Sequence, residues 1–228
     1  MTRIRQWLLP KESHGYDADM AGPLRDMDVR KAAYDQLLAH ARHCPDTLVI
    51  DELGIEHGAA RVDIAVINGH IRGVEIKAEA DTLDRLPRQI AAYGRLVDKA
   101  TLIAADRHIE AATALLPEWW GIIAASRSGN GAVRFRRLRA ERINHDRDSM
   151  TLARLLWRDE VVALLRAQGC EERTLRAPRA VLYAALIASM PQTRLRLTVR
   201  TVLKARANWR DRERPSRYDG SSRPIARS

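Results

Sequence analysis

The spacing of apolar residues changes period several times along this chain, and each change marks an element. Residues 28–43 (DVRKAAYDQLLAHARH) place Val29, Ala32, Ala33, Leu37 and Ala41 at helical spacing with acids near the start. Cys44-Pro45 ends that helix, because proline removes a donor and restricts the residue before it. The short apolar runs at 47–56, 60–67 and 70–78 predict three strands. A helix over 84–98, a buried strand over 99–105, a helix over 108–116 and a strand over 119–126 follow. Gly129 to Gly131 has the composition of a hairpin turn into a last strand at 132–139. Helix, three strands, helix, strand, helix, strand predicts an α/β sandwich around a central mixed sheet.

From Asp148 the period becomes helical throughout. Residues 148–169 predict one long amphipathic helix closed by Gly169, and residues 177–189 and 193–209 two more, with Pro191 between them. The expected organisation is an N-terminal arm (1–24), an α/β domain (25–145), a basic helical region (146–208) and a disordered basic tail (209–228). The apolar share, 46% of 228 residues, suffices for a core, and no apolar run is long enough to span a bilayer. The opening MTRIRQWLLP lacks the features of a signal peptide. Cys44 and Cys170 are expected to be buried free thiols of a cytoplasmic protein.

Charge sharpens the picture. The net value of +10 is unevenly placed: residues 127–228 hold 24 Lys+Arg against 10 Asp+Glu, whereas residues 1–126 hold 15 against 19. A codon-driven preference for Arg explains why 34 of the 39 basic residues are Arg, but not why one half lacks an acidic counterweight. The asymmetry points the C-terminal half towards a polyanion, most often nucleic acid. Arg196, Arg200 and Lys204 fall on one stripe of the last helix and are the candidate phosphate contacts.

Three ionised residues, Asp63, Glu75 and Lys77, stand inside predicted strands, where a charge needs a partner or a metal. Strand alternation puts Glu75 and Lys77 on one face and Val74 and Ile76 on the other. Asp63 joins them only if the connecting loop has odd length. A three-residue loop Ile67-Asn68-Gly69, with Gly69 left-handed, sets Glu75 opposite Arg61 and diagonal to Asp63. Two carboxylates and an ammonium on one face suit phosphodiester chemistry around Mg²⁺ or Mn²⁺, with the Ile76 carbonyl as a further oxygen ligand.

Asp63 followed by Glu75-Ile76-Lys77 on this element order resembles the PD-(D/E)XK nuclease superfamily, although Val62 replaces the motif proline. Gln89-Ile90-Ala91-Ala92-Tyr93 resembles the Q-x-x-x-Y motif of its RecB-like and lambda-exonuclease-like branch. DTLDRLPRQIAAY and the Arg-rich helical end also resemble an uncharacterised family of small bacterial proteins in that superfamily. The likeness implies a restriction-endonuclease-like core, metal ligands at Asp63 and Glu75, a catalytic Lys77, and support from Gln89 and Tyr93. Glu52 matches an additional acidic ligand, with Asp51 and Glu56 as rivals. The function so implied is a metal-dependent nuclease acting on DNA, with a homodimer left open. Two alternatives stand beside it: a non-catalytic nucleic-acid-binding protein on a nuclease fold, and a regulatory module that binds protein.

Overall fold

A computed structural model describes residues 22–206 apart from Ala59. The arm expected at 1–24 lies outside these residues except for 22–24, and the tail expected at 209–228 lies outside them entirely. The chain begins with α1 (Asp26–Ala32), a π-helical turn (Ala33–Leu37) and α2 (Ala39–His43), followed by strands β1 (Leu48–Ile55), β2 (Ala60–Ile67) and β3 (Ile71–Lys77). Then come α3 (Leu86–Leu96), β4 (Lys99–Ala105), α4 (Asp106–Leu115), β5 (Gly121–Arg127) and β6 (Val133–Arg139). The expected single helix over 28–43 is interrupted because Leu38 N–H reaches back five residues to Ala33 O at 2.9 Å.

The six strands form one mixed sheet in the order β1-β2-β3-β4-β5-β6, antiparallel except for the parallel pairs β3–β4 and β4–β5. The parallel pairs need crossover helices, and α3 and α4 supply them. Leu86, Ala92, Tyr93 and Leu96 of α3, with Ala112 of α4, bury one face of the sheet. Val29, Ala33, Tyr34 and Leu38 cover the other face over Ile64, Val66, Val74, Ile76 and Ile103. Mixed α/β architecture, a mixed six-stranded sheet and flanking helices agree with the pattern read from sequence.

The β2–β3 loop has the odd length that the charges require, but it is Asn68-Gly69-His70, one residue further along than expected. Ile67 pairs with Ile71 and Ile64 with Val74, a register that carries Asp63 towards Glu75 instead of Arg61 towards Glu75. Gly69 does not take a positive φ. Asn68 removes the need: its Oδ1 accepts from His70 N–H (3.2 Å) and its N–H donates to His70 O (3.0 Å).

After β6, residues 140–148 are strapped to the α3–β4 corner. Asn144 donates to Gly94 O (2.7 Å) and Val97 O (3.0 Å), and Asp148 N–H donates to Arg95 O (2.9 Å). Five helices follow: α5 (Ser149–Ala153), α6 (Arg158–Ala167), α7 (Glu172–Leu175), α8 (Arg179–Ala188) and α9 (Gln192–Ala205). The long helix expected over 148–169 is therefore two. Breaking it frees the carbonyls of Leu155 and Leu156, and distant side chains take them: Arg206 Nη2 donates to the first (2.7 Å) and Tyr183 OH to the second (3.0 Å). The break also lets Leu155 and Leu156 both enter the core. Gly169 closes α6 as expected, with φ of +77°.

Leu152, Leu156, Val161, Leu165, Leu182, Leu186, Leu195, Val199 and Leu203 join the same continuous core as the α3 face of the sheet. Cys44 and Cys170 are free thiols, but both are half-buried and not the fully buried residues expected, since each lies just beyond a helix end. No helix among the described residues is long and apolar enough to cross a membrane.

Candidate functional site

The charged residues at the end of β3 form a closed buried network. Glu75 is 1% exposed and Lys77 is 4% exposed. Lys77 Nζ donates to Glu75 Oε1 (2.7 Å) and to Gln89 Oε1 (3.0 Å). Gln89 Nε2 donates to the same Glu75 oxygen (2.5 Å), and Tyr93 OH donates to Glu75 Oε2 (2.8 Å). Alternation along β3 turns Glu75 and Lys77 towards α3, and the i, i+4 spacing of Gln89 and Tyr93 brings both down onto them. Burial, reinforced by Glu75 and Asp63, raises the Tyr93 phenol well above its ordinary value, so it stays a neutral donor.

Gly73 makes room for the Tyr93 ring. A Cβ there would stand 2.7 Å from Tyr93 Cε1 and 3.2 Å from Val62 Cγ1, so only glycine admits the ring at this depth. Gly73→Ala should displace the ring and lower stability by roughly 1–3 kcal/mol, the usual range for overpacking. Urea denaturation would check this, and an unchanged midpoint would mean that the ring yields without loss.

Asp63 lies where β2 and β3 part, and its Oδ2 accepts from Ile76 N–H (2.8 Å) while its own N–H donates to Tyr93 OH (3.3 Å). Burial and the nearby Glu75 push the Asp63 carboxyl up to about 7, against the pull of the Ile76 amide and Arg30. Arg30 Nη1 donates to Asp63 O (3.0 Å) and also meets Asp51 (3.3 Å). Burial works against the Arg30 charge, but Asp26, Asp63 and Asp51 outweigh it and raise its pKa.

The Glu52 charge adds to the rise of the Asp63 carboxyl, but its own carboxylate is held by arginines. Glu52 has a positive φ of 56°, and its carboxylate meets Arg30 (3.5 Å) and Arg61 (3.3 Å) in a half-exposed position. Asp51 is taken by Tyr34 OH (2.5 Å), and Glu56 is paired with Arg95. Among the described residues no group of three or more His, Cys, Asp or Glu could hold a metal ion. Both Glu75 oxygens already accept hydrogen bonds, and Ile76 lies in the β3–β4 ladder opposite Ile103. As arranged, Glu75 is held on both oxygens by Lys77, Gln89 and Tyr93, and Glu52 by Arg30 and Arg61, so both of these expected metal ligands are engaged within the protein.

A second charged region lies at the opposite end of β3, and sequence reading found only part of it. Arg196 and Arg200 of α9 line a cleft with Arg147 and Asp98, beside Ile71 and Leu96. Asp98 is a hub. Its Oδ2 accepts from Ile71 N–H (2.7 Å), its Oδ1 from Arg147 Nη1 (2.5 Å), and its carbonyl from Asn144 N–H (2.9 Å). Among the described residues neither Arg196 nor Arg200 has a carboxylate partner within ion-pair distance. Lys204, third in the expected stripe, instead reaches Asp46 O at 3.4 Å. The signal missed in the sequence was Asp98-Lys99 and Asp146-Arg147-Asp148, charged groups placed where a helix or strand begins or ends.

Comparison with known proteins bears on both sites. A family model described as Bacteriophage P4 protein cII matches residues 24–215. Protein cII of Enterobacteria phage P4 is 25% identical over 150 residues, covering 66% of this chain and 56% of the relative. The aligned part is thus little more than half of that relative. No solved structure matches the chain. Neither description is that of a nuclease, and the family is not one of the PD-(D/E)XK superfamily, so that assignment is overturned, with its RecB-like and lambda-exonuclease-like branch and the likeness to a small bacterial family within it. The enzyme assignment built on it, a magnesium-dependent phosphodiester hydrolase, falls with it. The physical reason is that E-x-K on a strand and Q-x-x-x-Y on a helix are the spacings that any buried Glu–Lys pair braced by a crossover helix would show.

Proposed function

The chain belongs to the Bacteriophage P4 protein cII family, and on that premise we propose that it is a non-catalytic regulatory protein that binds nucleic acid, DNA first, through its basic C-terminal half. The observation that supports this most is uncompensated charge: Arg194, Arg196 and Arg200 on α9 have no carboxylate partner among the described residues. They belong to the half of the chain with 24 Lys+Arg and 10 Asp+Glu. Guanidiniums of this kind gain by displacing the counterions of a phosphate backbone. The non-catalytic part draws on the closed network around Glu75, where Lys77 and Gln89 hold one carboxylate oxygen and Tyr93 the other.

The test is fluorescence anisotropy of duplex DNA with the full chain between 50 and 200 mM salt. Affinity should fall with a log–log slope of about −3 or steeper, the signature of three or more neutralised phosphates. The same DNA should be recovered at full length after incubation with Mg²⁺ or Mn²⁺. Absent or salt-insensitive binding would reject the nucleic-acid part and favour a protein partner. Metal-dependent cleavage that disappears in Lys77→Met would reject the non-catalytic part.

A further inference from the structure

The cleft beside α9 is concave, and one of its cations is held in place, unlike a solvated stripe. Arg147 is 11% exposed in its side chain and is fixed by Asp98, itself held by β3 and by the 140–148 strap. Two carboxylates line the cleft and both are committed. Asp98 takes Arg147 and the Ile71 amide, and Asp148 accepts from Met150 N–H (3.2 Å) and Thr151 N–H (2.7 Å). Against them stand three guanidiniums, two without a counter-charge among the described residues.

Burial and positive charge act together on the groups beside the cleft. Burial first, and then Arg196 and Arg200, lower the Arg147 pKa against the pull of Asp98. Burial lowers His70 too, and there Lys99, Arg200 and Arg72 together with burial outweigh Asp98. Two guanidinium Nε atoms, those of Arg147 and Arg72, are buried with no hydrogen-bond partner among the described residues. Like charges gathered around one cleft raise the free energy of the folded chain, and an anion placed against them would reverse that term. Apolar walls from Ile71, Leu96 and Leu152 strengthen it by excluding water.

We propose that the mouth of this cleft is a phosphate-binding site, where Arg196, Arg200 and Arg147 hold one phosphate group across an interior with room for little more than a water molecule. Guanidinium forks match phosphate oxygens in pairs, which a lysine-lined surface would not do. For the origin of that phosphate the proposal rests on the nucleic-acid reading above. A backbone phosphate and a terminal phosphate present the same oxygens to the cleft.

The experiment is thermal unfolding of the full chain with inorganic phosphate replacing chloride at constant ionic strength. Wild type should gain a few degrees at millimolar phosphate. Arg196→Gln/Arg200→Gln should show no gain, and Arg196→Lys/Arg200→Lys, which keeps the charge and the fold, a reduced one. An equal gain in wild type and the Gln pair, or none in wild type, overturns the site.

Anisotropy with 5′-phosphorylated and 5′-hydroxyl duplexes then identifies the source. A terminal phosphate predicts a preference for the phosphorylated duplex that the Gln pair loses. A backbone phosphate predicts about tenfold weaker binding to both by the Gln pair, on the scale of one or two lost charge-assisted contacts. A phosphate response without DNA binding upholds the cleft and rejects the nucleic-acid reading. DNA binding that is unchanged in the Gln pair, with no phosphate response in wild type, rejects the cleft alone.

Discussion

Lys77→Met should destabilise the fold by about 3–5 kcal/mol, because it strands a buried carboxylate without its cation. Glu75 at 1% exposure has no solvent to turn to, and Gln89 and Tyr93 supply only neutral donors. Glu75→Gln should be costly for the mirror reason, leaving the Lys77 ammonium buried beside an amide. The double variant Glu75→Gln/Lys77→Met removes both charges and keeps an acceptor for the Tyr93 hydroxyl. It should recover most of the loss, because a buried ion pair is often worth little more than neutral groups of the same shape. Urea denaturation of the four proteins with a common m-value gives the coupling directly. Additive losses would show that the two side chains do not depend on each other, against the geometry of the network.

Asp63→Asn should make the protein more stable at pH 8 and nearly unchanged at pH 4. The Asp63 carboxyl titrates near 7 in the folded chain, raised by burial and by Glu75, and near 3.9 in an unfolded one. Between those values the folded state keeps a proton that the unfolded state has released. Stability therefore falls as pH rises through this window and levels off above it. Asparagine can still accept the Ile76 amide proton that Asp63 Oδ2 accepts at 2.8 Å, so the substitution removes the charge and keeps the contact. The gain at pH 8 should be roughly 2–4 kcal/mol, and the slope between pH 4 and 7 should flatten. A loss at pH 8 instead would mean that the ionised carboxylate is held by a cation.

Much of the fold is legible in periodicity because it is local. Alternation in β3 alone assigns Glu75 and Lys77 to one face and Val74 and Ile76 to the other, and the structure keeps that division. Four-residue spacing alone puts Gln89 and Tyr93 on one side of α3. The odd loop between β2 and β3 follows from the demand that Asp63 face its partners, even though the loop sits one residue later and Gly69 is not left-handed. The same local patterns misdirected the family assignment, since they describe how a charged pair is buried and not what it does.

What the sequence by itself determined is the element order of the α/β half, its six strands, the charge asymmetry, and the shared faces of Glu75 with Lys77 on β3 and of Gln89 with Tyr93 on α3. Each depends on residues close in the chain, where backbone geometry leaves few choices. Only the tertiary structure decided where α5 ends, because the carbonyls freed at Leu155 and Leu156 are taken by Arg206 and Tyr183 from far along the chain. It alone placed Glu52 against Arg30 and Arg61 through a left-handed backbone. It also converted part of a predicted stripe into a cleft, since Asp98, Arg147 and α9 come from three separate segments. Such groupings depend on packing between elements distant in sequence, and no period along the chain encodes them.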